Sequence, residues 1–144
     1  MKQEKSVASV VSTHIITTSI VIPFFGLFAG YFVNKFLGVS LNQALVMIIK
    51  DIVYIIFFFM GVKYSLSYIN KKITVKNPQN SSKYSIIIFG VIMTFMLIVD
   101  ILAKPNIISI AYNTVFFGII FTIFYIFTKN YFEKLQQEIQ IVKV

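Results

Sequence analysis

The chain has no cysteine, no arginine and one histidine, and only five of its 144 residues are acidic. Each shortage excludes something. Without cysteine there can be no disulfide, thiolate metal site or thiol redox chemistry, and the compartment stays open. Without arginine, thirteen lysines carry the net charge of +8. Nucleic-acid readers usually contact bases and phosphates with guanidinium forks, so no nucleic-acid partner is expected. One histidine without cysteine argues against a metal centre. No Ser–His–acid arrangement, phosphate-binding glycine loop or HExxH is present. An enzyme acting on lipid headgroups usually needs several acids, histidines or arginines at one interface, and the charged segments here are nearly all lysine. Neither an enzyme nor a cofactor is expected.

What the chain does have is apolar side chain. Its hydrophobic fraction is 58% and its charged fraction 12%, against about 45–50% and about 25% in soluble domains. That is too little charge to cover a water-soluble surface. Four apolar stretches, near residues 15–33, 48–69, 84–102 and 107–128, approach the roughly 20 residues needed to cross a bilayer. Strict apolar–polar alternation is absent, so strands are not expected. The opening "MKQEKSVASVVSTH" carries no small-residue cleavage site, which makes the first helix a retained anchor.

Lysine placement sets the direction of the spans. Lys2, Lys5, Lys71, Lys72, Lys76, Lys83, Lys129, Lys134 and Lys143 fall on one side of the four-span scheme, and only Lys35 and Lys104 lie in the other two connectors. The positive-inside bias then puts both termini in the cytoplasm. The expected fold class is an all-α, multi-pass membrane protein of the prokaryotic inner membrane type. Four transmembrane helices in two in–out–in hairpins occupy residues 1–130, and a cytoplasmic amphipathic tail occupies 131–144. In that tail Phe132, Leu135, Ile139 and Val142 repeat at helical spacing, and Lys134 and Glu138 form an i,i+4 pair. Lys71, Lys72, Lys76 and Lys83 in the second connector are the expected contacts to anionic lipid headgroups.

Charges inside the spans are the candidate functional groups. The segment "VMIIKDIVYIIFFFMG" carries Lys50 and Asp51 in an otherwise apolar run. An ionisable residue at a helix centre costs about 2.5–3.5 kcal/mol on insertion scales. At about 1.5 Å rise per residue, Asp51, Asp100 and Asn113 share one level near the extracytoplasmic side, with Lys50 and Lys104 nearby. Two readings follow: a structural polar layer in which a lysine neutralises Asp51, or a cation or proton site at the mouth of a pore. Lys63 lies on the other side of mid-span and needs a partner or water.

The first helix has two unlike faces. Ser9, Ser12, Ile16, Ser19, Pro23, Gly26 and Gly30 fall on one, and all but Ile16 are small or proline. Small residues let backbones approach in lipid, so Ser12, Ser19, Pro23, Gly26 and Gly30 mark a helix-packing face, within the bundle or between subunits. Pro23 should kink the helix next to Ser19. Val7, Val10, His14 and Thr18 lie on the opposite face. A weaker small set, Ala111, Thr114, Gly118 and Thr122, lies on the fourth helix.

Within Ile22–Ser40, the residues Pro23, Gly26, Gly30, Tyr31, Asn34, Gly38 and Ser40 are spaced in a way that resembles the first hairpin of small accessory membrane proteins of the ATP synthase operon, with Asn34 where the family has an acid. The resemblance covers under a fifth of the chain and implies an accessory or assembly subunit of a larger membrane complex. The residue pattern itself points to a non-enzymatic homo-oligomer, pore- or channel-like and of lytic or defence type, with lipid as its other partner.

Overall fold

The computed structural model describes residues 3–21, 28, 31, 32, 35, 43–103 and 106–142. Helix α1 (Val7–Ile16) runs into a π-helical turn at Thr17–Val21. Helix α2 spans Gln43–Lys72, α3 spans Pro78–Ala103 and α4 spans Ile107–Val142. Two three-residue strands, β1 (Gln3–Lys5) and β2 (Ile73–Val75), complete the described chain.

The helix starts follow local chemistry. Ser6 caps α1 by accepting from the Ser9 amide at 3.3 Å. Asn77 caps α3 by accepting from the Asn80 amide at 3.0 Å, with Pro78 in the first helical position. Asn106 caps α4 by accepting from the Ile108 amide at 2.9 Å. Each side chain satisfies an amide that has no intrahelical partner. The π-helical turn precedes Pro23, in the region where the kink was expected; such turns are a recognised cause of helix bends. Pro23 itself lies outside the described residues.

Three helices, α2, α3 and α4, are long and apolar enough to cross a membrane. They contain the stretches expected at 48–69, 84–102 and 107–128. The stretch at 15–33 falls largely outside the described residues, so a fourth span is not established. Helix α4 continues without a break through residues 130 and 131, and its 36 residues make it about 54 Å long, well beyond a hydrocarbon core of about 30 Å. Within it the ion pair is Lys129–Glu133 at 3.9 Å, and no Lys134–Glu138 bridge forms among the described residues.

Helices α3 and α4 are antiparallel neighbours, as their tight connection predicts: Phe89 packs on Phe124 and Asp100 on Asn113. Helices α2 and α4 run parallel, since Asp51 meets Tyr112 and Phe59 meets Phe127. The strands are a departure from the sequence reading. β1 pairs in parallel with β2 in the register Gln3↔Ile73, Glu4↔Thr74 and Lys5↔Val75. Ile73 and Val75 are buried beneath the pair, and Lys76 bridges Glu4 at 3.1 Å on its exposed side. The N-terminal segment and the α2–α3 connector therefore share one end of the bundle, the lysine-rich end.

Buried residues follow helical spacing: Phe58, Val62, Leu66 and Ile69 on α2, Ser81, Ser85 and Phe89 on α3, and Ile120, Phe124, Thr128 and Phe132 on α4. They run from mid-bundle to the lysine-rich end. Towards the far end α3 and α4 are open, with Val91, Phe95 and Leu102 on α3 and Ile107, Ile108 and Val115 on α4 all exposed, while α2 buries Val46 there.

Candidate functional site

All four helices meet at a stack of rings. Phe58 of α2 lies 5.7 Å from Phe89 of α3, Phe89 lies 3.9 Å from Phe124 of α4, and Phe124 lies 4.8 Å from the imidazole of His14 on α1. The last two contacts are stacked, and Phe132 meets His14 edge-on at 6.4 Å. Each of these rings is buried. The stack fills the space between the described helices at mid-bundle.

Below it, towards the lysine-rich end, His14 is hydrogen-bonded through both nitrogens: Nδ1 to the Ser65 hydroxyl at 2.8 Å and Nε2 to the Thr128 hydroxyl at 2.9 Å. A hydroxyl can donate or accept, so the pair serves either neutral tautomer. Among the described residues no carboxylate lies within ion-pair distance of His14. An uncompensated charge is expensive to bury, so the surroundings suit a neutral imidazole. Around the same end the buried hydroxyls of Thr18, Ser19 and Ser85 have no hydrogen-bond partner among the described residues.

The far end holds the carboxylates. Tyr112 donates its phenol proton to Asp51, and the Asn113 amide donates to Asp100. Ser109 also accepts from that amide, at 3.5 Å. Tyr112 and Asn113 are consecutive, so their side chains leave α4 about 100° apart. One reaches α2 and the other α3. Both carboxylates are half-buried. Asp51, Asp100 and Asn113 thus do share a level, and Tyr112 joins them. Of the two lysines that could neutralise Asp51, Lys50 forms no ion pair among the described residues, and Asp51 faces α4 and takes a neutral donor. Lys104 lies outside the described residues. Lys63 lies over the Phe59 ring at 5.0 Å, a cation–π contact that answers its need for a partner.

Only the start of the first helix's small face falls among the described residues. Ser12 and Ile16 are exposed, whereas Val10, Val11, His14, Ile15 and Thr18 are buried. The inward face carries three large apolar side chains, and its buried imidazole is satisfied by hydrogen bonds. Ser19 is half-buried; Pro23, Gly26 and Gly30 lie outside the described residues. The small set on α4 (Ala111, Thr114, Gly118, Thr122) is exposed and does not pack against α1. Lys71, Lys72 and Lys83 are exposed at the lysine-rich end, and Lys76 is held by Glu4.

Ser65, Thr128 and Tyr112 are the polar-site residues that sequence reasoning missed. A hydroxyl at helical depth was the available signal for the first two. For Tyr112 it was adjacency to Asn113. No group of three or more His, Cys, Asp or Glu side chains comes together among the described residues.

The fold and these two polar layers define an all-helical protein with apolar helices of membrane-spanning length. No family model matches the chain, and no curated protein and no solved structure matches it either.

Proposed function

We propose that the chain is a multi-pass protein of a prokaryotic inner membrane, with its lysine-rich end cytoplasmic, that assembles with copies of itself into a non-enzymatic, channel-like pathway for small cations. One observation carries this reading. Asp51 and Asp100 are partly exposed at a common level of otherwise apolar helices, each bonded by a neutral donor, and among the described residues neither forms an ion pair with a lysine. A carboxylate at such a level needs water, a cation or a partner beside it. The buried ring stack fills the space between the described helices, which favours a pathway between chains over one through a single chain.

A surface groove between α3 and α4 supports self-assembly. Its volume is about 290 Å³, and Gly90, Thr94, Thr114 and Gly118 are among its lining. A Cβ built on Gly118 would meet nothing within 4 Å. The hydroxyls of Thr94 and Thr114 bond carbonyls of their own helices, at 2.9 and 2.7 Å, so the groove presents little unsatisfied polarity to an approaching helix.

Two measurements test the reading: the oligomeric state in mild detergent, and cation flux into liposomes containing only this protein. A closed oligomer whose flux falls in the Asp51→Asn, Asp100→Asn double variant is the expected result. A monomer without flux overturns the proposal. Recovery at fixed ratio with a different membrane protein would assign the groove to the accessory-subunit role that the Ile22–Ser40 resemblance implies.

A further inference from the structure

A cavity of about 560 Å³ lies at the lysine-rich end, between the first two turns of α3 and the C-terminal part of α4. Its polar lining includes Lys83, Lys129, Gln79, Gln136, Gln140 and Glu133, and Ile86 and Phe132 form its apolar part. We infer that this cavity binds a phosphorylated polyol, such as the glycerol- or inositol-phosphate headgroup of an anionic lipid.

Two ammonium groups against one carboxylate leave the cavity net positive. Among the described residues Lys83 has no carboxylate within ion-pair distance, so its charge is available. Lys129 is held only loosely by Glu133, at 3.9 Å, and lies over the Tyr125 ring at 5.6 Å. A phosphate can compete for it, because a charge-assisted hydrogen bond to an ammonium is shorter and stronger than that contact. Glu133 opposes the phosphate but can accept from a hydroxyl. The glutamine amides both donate and accept, which suits a polyol better than a quaternary ammonium headgroup. The apolar part beneath fits the glycerol–acyl boundary of an amphiphile. This inference rests on the membrane reading and its orientation, and holds whether or not ions cross.

The test is native mass spectrometry of the detergent-solubilised full chain. The probes are short-chain phosphatidylglycerol, phosphatidylinositol and phosphatidylcholine, and soluble glycerol 3-phosphate. The anionic polyol lipids should bind in preference to phosphatidylcholine. At about 1 kcal/mol per lysine and about 1.4 kcal/mol per tenfold, the Lys83→Gln, Lys129→Gln double variant should weaken that binding about tenfold to thirtyfold. Lys71→Gln with Lys72→Gln removes the same charge nearby and should change it little. Glu133→Gln should tighten binding, a gain that misfolding cannot imitate. Equal losses in the two lysine double variants would overturn the site in favour of diffuse surface charge, as would phosphatidylcholine binding as tightly as the anionic lipids. Glycerol 3-phosphate binding as well as the lipids would identify a free phosphate ester as the ligand; much weaker binding would identify the headgroup.

Discussion

The two ends of the bundle treat polar side chains in opposite ways. At the lysine-rich end, His14, Ser65 and Thr128 are sealed among Phe124, Phe132 and the strand-capped core, and all three are uncharged partners for one another. At the far end, Asp51 and Asp100 stay partly exposed although Tyr112 and Asn113 bond them. The difference follows from charge. A neutral group can be buried once its hydrogen bonds are made. A carboxylate with neutral donors still loses hydration that those donors do not fully replace. One end is therefore a place where packing fixes the fold. The other is a place where the fold leaves charge reachable.

On that contrast, the largest loss comes from opening the ring stack. Phe124 touches both His14 and Phe89 and is fully buried. In lipid the unfolded reference is already apolar, so the transfer contribution is small and the cavity dominates. Phe124→Ala leaves roughly 100 Å³, which at about 24 cal/mol per Å³ gives about 2 kcal/mol. Thermal unfolding in detergent should show this loss. The same change at Phe95, which is 64% exposed, should cost little in the isolated chain. Equal effects at the two positions would abolish the distinction between a packed half and an open half.

Next is His14→Phe, which keeps a ring on Phe124 but strips Ser65 and Thr128 of their partner. Interhelical hydrogen bonds in membranes average about 0.6 kcal/mol, so the two bonds together are worth about 1 kcal/mol. His14→Gln can restore one of them and should recover part of the loss in the same unfolding measurement. A His14→Phe variant as stable as the parent would mean that stacking alone holds α1 in place.

These magnitudes also show which features the sequence made legible. Depth could be counted along the chain at a fixed rise per residue, and so Asp51, Asp100 and Asn113 were placed at one level. Rotation about each helix axis could not be counted. It decides that Asp51 meets Tyr112 rather than Lys50, and that α1 presents Val10 and His14 rather than Ser12. His14 stood out as the one histidine, but its partners are 51 and 114 residues away and are small hydroxyls of a kind found all along the spans. The β1–β2 pair was not legible: "QEK" has neither alternation nor β-branched residues, and "ITV", though β-branched and alternating, is only three residues long with no visible partner. Its pairing is imposed by the bundle, which brings the N-terminus beside the α2–α3 connector.

The far end should respond to the same chemistry with smaller changes in stability. Tyr112→Phe removes the donor to Asp51 but leaves a half-exposed carboxylate that water can solvate. The unfolding loss should stay below the roughly 1 kcal/mol expected for a typical hydrogen bond. In the channel-like reading its effect on cation flux should exceed its effect on stability. The reverse pattern would make the Asp51–Tyr112 pair a structural tie.

The smallest expected effect is at the strand pair. Lys76 and Glu4 are close, but their side chains are 62% and 60% exposed. Water screens such a pair and ordering two long side chains costs entropy, so Lys76→Gln should shift stability by no more than about 0.5 kcal/mol. Glu4→Gln should do the same, and the double variant should add nothing further. The neighbouring burial is what holds the strands: Val75→Thr, which places a hydroxyl under β2, should loosen the pair more than either charge change. Amide exchange at Gln3–Lys5 reads this directly. If the charge variants released those amides as fully as Val75→Thr, the lysine-rich end would be held by its surface ion pair rather than by its buried side chains.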